Sequence, residues 1–287
     1  MSIRRKMTKV YTPPSQAGFL GKGHIARPVI QIDFVESDPF IVLMDDMLNK
    51  TDNVPAGGPH PHAGFETVSL LLEGEMGDEP HTMKAGDFEI MTAGSGVVHT
   101  ETISKPTRLR LLQLWLNLPK RERQAAPRLQ RLPSDQVPEH SDNKTTVRVY
   151  TGSFAGLTSP ISNYTPITIA EIRMKPDTST IHQIPAHFNT FLYVLEGSIL
   201  VGEDKKLLSR DRVGWLDIHK SGSTSELGIQ AGNEGAHFVL YAAEPQNHSI
   251  VSHGPFIADS MDEIRRLYSE YKQGKMAHID EVVGDRN

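Results

Sequence analysis

Short apolar runs broken by glycine-bearing turns dominate the chain. Residues 29–34, 40–44, 67–72, 87–91 and 109–116 are rich in β-branched, leucine and aromatic side chains. Each run is strand-length and is bounded by Gly, Pro, Asn or Asp, with Glu73-Gly74, Ala85-Gly86-Asp87 and Ala93-Gly94-Ser95-Gly96 as punctuation. The same texture resumes at 146–151, 168–174, 190–194, 198–202, 213–218 and 238–242. Many short strands with glycine turns predict an all-β fold of antiparallel barrels or sandwiches. Helical periodicity enters near the end. Ser260-Met261-Asp262-Glu263 reads as a capping box, and Ile264, Leu267, Tyr268 and Tyr271 follow on one face, with Gly274 as the stop. That stripe is expected to pack on a sheet.

Two segments change character. Residues 11–28, with Pro13, Pro14, Gly18, Gly21, Gly23 and Pro28, read as an irregular lead-in. Residues 119–143 carry Pro119, Pro127, Pro133 and Pro138 among charges and read as a mainly exposed connection between domains 1–135 and 136–287. Its cations Lys120, Arg121, Arg123, Arg128 and Arg131 are interrupted by Glu122 and have no interleaved aromatics to stack bases. On either side of the connection a repeat is visible. Leu71-Leu72-Glu73-Gly74 is echoed by Val194-Leu195-Glu196-Gly197, and Ala85-Gly86-Asp87 more loosely by Ser209-Arg210-Asp211. One β module is read as duplicated.

Composition narrows the function classes. The 287 residues are 38% hydrophobic and 23% charged, with net charge −5 and both signs interspersed, so no global attraction to nucleic acid or anionic membrane is expected. No apolar run approaches the ~20 residues of a membrane span. The basic start, Met1 to Lys9, has no apolar stretch behind it and does not read as a secretory signal. There is no cysteine, which excludes disulfides, thiolate nucleophiles and Cys-ligated metals. The expectation is a cytoplasmic protein.

The candidate chemistry lies in two stretches of the first module, His60-Pro61-His62 and His99-Thr100-Glu101. Side chains two apart on a strand leave the same face. Two such pairs on neighbouring strands can therefore gather three imidazoles and a carboxylate around one ion. Those donors suit iron, manganese, nickel, copper or zinc, and four of them leave positions open for reaction. On an uninterrupted strand Glu66, four residues after His62, shares the same face, so periodicity leaves Glu66 and Glu101 both open as the carboxylate. In the second module Gln183, Pro185 and Asn189 stand opposite His60, His62 and Glu66, and the stretch 223–225 falls opposite His99 and Glu101. The second copy is therefore expected to lack a metal site.

Several further stretches accompany these residues: His60-Pro61-His62-x-Gly64-Phe65-Glu66-Thr67-Val68, Leu72-Glu73-Gly74-Glu75-Met76, Met91-Thr92-Ala93-Gly94-x-Gly96-Val97-x-His99-x-Glu101 and His253-Gly254-Pro255-Phe256. With them the chain resembles the pirin family of bicupins. The resemblance implies two antiparallel β-barrel or jelly-roll cupin domains with a short C-terminal helix, and one metal, in the N-terminal domain. It implies His60, His62, His99 and Glu101 as the ligands, which by analogy selects Glu101 over Glu66. It further implies iron(II), with other divalent transition metals as alternatives, and quercetinase-like dioxygenase activity on a small aromatic substrate and O2. In that reading Glu101 is the general base, and Phe65 and Phe88 are candidates for apolar lining of the substrate site. The mammalian member's association with transcriptional co-regulation implies an alternative, an iron-dependent partner-binding protein without catalysis of its own. A third reading is a sugar- or acid-processing cupin using zinc or manganese.

Overall fold

A computed structural model describes residues 2–77, 82–220 and 223–284. The chain is almost wholly β and divides into two compact units. One comprises 14–135 with 246–287, the other 1–13 with 136–245. The chain does pass from one unit to the other at 135/136, but the halves are not continuous domains, because each end of the chain belongs to the unit built mainly from the other half.

In the first unit, the sheet runs Arg128–Leu132, Phe88–Thr92, Phe65–Glu73, Thr107–Asn117, Phe40–Lys50, His24–Pro28 and Gln16–Ala17. The pairings between its named neighbours are antiparallel. A separate two-stranded ladder pairs Pro59–His62 with Val97–Thr100. Gly64 (φ 86°) separates Pro59–His62 from Phe65–Glu73. A Cβ at Gly64 would stand 1.9 Å from the Ile257 carbonyl oxygen, so only glycine fits this turn. Ile257 also donates its N–H to the Ala63 carbonyl at 3.0 Å, tying the chain's last segment into this unit. There Ala63, Phe256, Ala258, Ile264, Leu267 and Met276 form one buried cluster. The helix Met261–Lys272 starts as expected, Ser260 Oγ accepting from the Glu263 N–H at 3.3 Å. Its buried face is narrower than the periodicity suggested, since Tyr271 is exposed.

In the second unit the sheet runs Glu139–Ser141, Thr145–Thr151, Ile167–Met174, Thr224–Ala243, Asn189–Val201, Val213–Leu216 and Met7–Tyr11. The chain's start thus supplies an edge strand. Arg5, fully buried, pairs with Asp217 at 3.3 Å. The expected strand at 29–34 does not form. The strand lies at His24–Pro28, within the supposed lead-in, and Asp33 opens a single helical turn at Phe34–Ser37.

The segment 119–143 is mainly exposed and contains the passage from one unit to the other at 135/136, as expected, but it is not irregular throughout. Arg128–Leu132 pairs with Phe88–Thr92, and Leu132 is buried. Its cations are paired within the protein, Arg131 with Glu89 at 2.7 Å, Arg123 and Lys120 with Asp259, and Arg121 with Glu122. Arg128 donates to Thr92 Oγ1.

The repeat is visible in matched hydrogen bonds. Ala85 N–H to Gly74 carbonyl (3.0 Å), Gly86 to Leu71 (2.7 Å) and Leu71 to Asp87 (3.2 Å) correspond to Arg210 to Gly197 (2.9 Å), Asp211 to Val194 (2.8 Å) and Val194 to Arg212 (3.2 Å). The sequence register of the second turn is therefore off by one. Asp211 (φ 64°), not Arg210, stands where Gly86 (φ 88°) does. Among the described residues no helix is long and apolar enough to cross a membrane.

Candidate metal centre

His60 and His99 face each other directly across the small ladder, in the register His99↔His60 and Val97↔His62. His62 follows on the face of His60, and the three ring centroids lie 4.3–4.9 Å apart. One ring nitrogen from each falls within 4.8 Å of the others. Among the described residues these three form the sole such group.

The rings are braced from outside. Nδ1 of His60 donates to the Gly58 carbonyl at 2.8 Å, and Nδ1 of His62 makes a longer contact of 3.4 Å to the Pro255 carbonyl. A carbonyl can only accept, so these contacts place the proton on Nδ1 and leave Nε2 with its lone pair. Nε2 of His60 stands 2.8 Å from Nε2 of His99. Two nitrogens at right angles about one first-row divalent ion, each at about 2.1 Å, would stand about 3.0 Å apart. The donor set therefore fits such an ion.

Burial, together with the neighbouring His60 charge, lowers His62 to about 3. Burial, with His62, His60 and His278 nearby, lowers His99 well below the usual range. Both rings are held neutral, the ligating form. Beneath them, the His62 ring packs against Phe65 and Trp115, with centroids 5.2 Å away in each case, and Phe65 lies 4.4 Å from Trp115.

Glu101, just past the end of Val97–Thr100, does not join the three-histidine group. Its Oε1 accepts from the Gln113 side-chain amide at 2.7 Å. Burial, with Glu89 and Asp46 nearby, raises it to about 7 against that hydrogen bond. A cation among the imidazoles would pull it back down.

Glu66, the other carboxylate that spacing allowed, is fully buried elsewhere. Its Oε1 accepts from Thr92 Oγ1 at 2.7 Å, and the Arg128 guanidinium lies 3.9 Å away. The left-handed turn at Gly64 is the reason, because it breaks the alternation that would have carried Glu66 onto the face of His62.

Two spaces open at this centre. One, of about 420 Å³, is bordered by His99 and Glu101 and walled by Met76, Met83, Met91 and Leu129 together with the charged Glu89 and Arg131. The other, of about 60 Å³, is bordered by His60, Glu101, Gln113 and Asp46. The larger lies in the range of small-molecule sites. Phe65 and Phe88, expected to line it, border neither space. They are 0% and 1% exposed, both in the core.

The sequence reading missed the end of the chain as a wall of the site. The Val98 N–H donates to the Ala277 carbonyl at 3.0 Å, and Ile279 packs on Met91, Ala93 and Val97. His278 and Asp280 thereby border the larger space, with His278 Nε2 3.0 Å from Thr100 Oγ1. A lone histidine near the end was the sole signal.

Comparison with known proteins agrees with this architecture. Residues 24–116 match the family description "Pirin", and residues 169–277 match "Pirin C-terminal cupin domain". The human protein named pirin is 31% identical over 286 residues, 96% of this chain and 95% of that one. A crystal structure of quercetin 2,3-dioxygenase from Acinetobacter baumannii superposes with a TM-score of 0.83 at 24% identity, covering 97% of this chain and all of that one. The bacterial pirin YhhW from Escherichia coli, solved in complex with nickel(II), superposes at 0.60 with 18% identity over 83% of this chain and 99% of that one. At those identities the two structures speak for the fold alone, a two-domain all-β cupin architecture. With both family descriptions matched in order and the human relative aligned over nearly its whole length, the chain belongs to the pirin family.

Proposed function

We propose that this protein is an iron(II)-dependent dioxygenase that opens the central ring of a flavonol such as quercetin. The observation that carries the reading is the convergence of three imidazoles beside a cavity of about 420 Å³ whose wall includes three methionines. A quercetin 2,3-dioxygenase among the structural neighbours and a nickel-holding pirin of the same fold support it.

In this reading His60, His62 and His99 hold the ion through Nε2, and Glu101 is the fourth donor. Bound there, iron(II) supplies Lewis acidity toward a substrate hydroxyl and redox reactivity toward O2. The protein's own part is positioning and proton transfer. Gln113 fixes one Glu101 oxygen, which leaves the second to accept the hydroxyl proton of a substrate lying in the larger space. Met76, Met83, Met91 and Leu129 supply apolar contact for a flat ring system and displace water from it. Removing the hydroxyl proton makes the ring electron-rich, and ring opening with release of carbon monoxide follows from the quercetinase assignment.

The test is oxygen uptake with quercetin by protein stripped of metal and reloaded anaerobically with iron(II). Uptake should require iron and track the loss of quercetin. The double variant His62→Ala/Glu101→Gln should show neither, and undiminished turnover in that variant would refute the assignment.

A further inference from the structure

The mechanism above leaves unused a buried pair that faces the same centre. His24 lies on His24–Pro28 and Asp46 on the neighbouring strand Phe40–Lys50, and they are 3% and 7% exposed. The Leu20 backbone N–H donates to His24 Nδ1 at 3.0 Å. That nitrogen therefore keeps its lone pair, and the ring proton sits on Nε2. Nε2 in turn donates to Asp46 Oδ1 at 2.8 Å. A backbone group thus sets the tautomer of the histidine, and the histidine sets the orientation of the carboxylate.

Asp46 Oδ2 takes no hydrogen bond from any described residue. The Asp46 side chain is 10% exposed, and it borders the recess of about 60 Å³ that it shares with His60, Glu101 and Gln113. The remaining wall, with Leu20, Ile103, Leu109 and Leu111, offers it no polar side chain. Part of the side chain reaches open space, and Oδ2 is free to accept a hydrogen bond from a group entering the recess. The recess has room for a polar substituent or a water or two, since a water needs only about 10–15 Å³, but not for a ring. Glu101 and Met76 border both the recess and the larger space, so Asp46 lies in the space adjoining the one proposed for the ring, on the side of His60 and Glu101.

We infer that Asp46, held by His24, is a specificity-determining acceptor for a hydroxyl group of the aromatic substrate. Ligands in which that hydroxyl is methylated or missing are rejected. A methyl ether removes the donor and adds bulk to a small recess. His24 acts as a positioning residue. The inference rests on the flavonol reading proposed above, and its test separates the two.

The experiment is equilibrium binding, without oxygen, of quercetin and each of its mono-O-methyl ethers to the metal-loaded protein. Metal content and thermal unfolding are followed alongside. Wild-type protein should bind at least one ether roughly 10-fold or more weakly than quercetin. In Asp46→Asn the amide puts an N–H donor where the carboxylate accepted, so that discrimination should fall to about twofold or invert. His24→Gln should erode it partly and serves as the second variant if Asp46→Asn does not fold. Retention of the wild-type pattern by the variants, or equal weakening of quercetin and every ether, would overturn the inference and leave the flavonol reading standing. Equal binding of all compounds by the wild type would do the same. Failure of the wild type to bind any of them would refute the flavonol reading and the inference together.

Discussion

At the scale of single residues, the site rests on three rings whose outer nitrogens are committed to carbonyls or packing. Removing one of them should act on the metal before anything else. His62→Ala is expected to lower divalent-metal affinity by at least ~100-fold, since loss of a mere supporting hydrogen bond to a ligand already costs 10–100-fold. Metal analysis after dialysis against a weak chelator measures it. Phe65 acts differently. It borders neither space at the centre, yet it carries the His62 ring together with Trp115. Phe65→Ala should cost about 3–5 kcal/mol of stability and loosen the metal without removing a ligand. Denaturant unfolding of apo and loaded protein separates the two effects. The histidines were legible because a His-x-His pair and a His-x-Glu pair in strand contexts admit few arrangements. The choice between Glu66 and Glu101 was not, because spacing assumes an unbroken strand and Gly64 breaks it. Asp46 was invisible for a related reason, since its importance comes from a partner on another strand.

At the scale of elements, the repeated Glu-Gly turns are a backbone requirement. Gly74 (φ 83°) and Gly197 (φ 68°) each bring a neighbouring strand's carbonyl oxygen to 2.1 Å from where a Cβ would be. Gly74→Ala should therefore destabilise by more than the ~1 kcal/mol typical of glycine replacement, and thermal unfolding reads it. A result within ~0.3 kcal/mol of wild type would mean the turn relaxes freely. Glycine does not always end a strand. Gly228, Gly232 and Gly235 lie within the one long strand Thr224–Ala243, whose pairing with Asn189–Val201 is irregular. Within 119–143 the prolines fall outside the edge strand Arg128–Leu132, which is why that strand was not legible in an otherwise exposed connection.

At the scale of the whole molecule, the least legible feature was the exchange of chain ends between the two units. Periodicity reports which face of a strand is buried, not which unit buries it. Arg5 shows the consequence. It is fully buried in the second unit against Asp217, and Arg5→Ala should destabilise by about 1–3 kcal/mol, less than a wholly buried pair because Asp217 is 22% exposed.

Acid sensitivity is also built into that unit. Burial alone would raise Glu171, but hydrogen bonds from His237 (2.7 Å) and Tyr150 (2.6 Å) outweigh it and hold the carboxyl at about 2. Its ordinary value is 4.5. The lowered folded-state value means that Glu171 contributes stability above pH ~4.5 and loses it as pH falls toward 2, on the order of 1–3 kcal/mol in all. Glu171→Gln should flatten that part of the stability curve.

The central claim is that the first unit holds one metal through three histidines and the second holds none. Anaerobic iron(II) titration of the metal-stripped protein tests it most directly. The account predicts one ion per chain in the wild type and none in the His60→Ala/His62→Ala/His99→Ala triple variant. Two ions per chain, or one that survives in the triple variant, would contradict it.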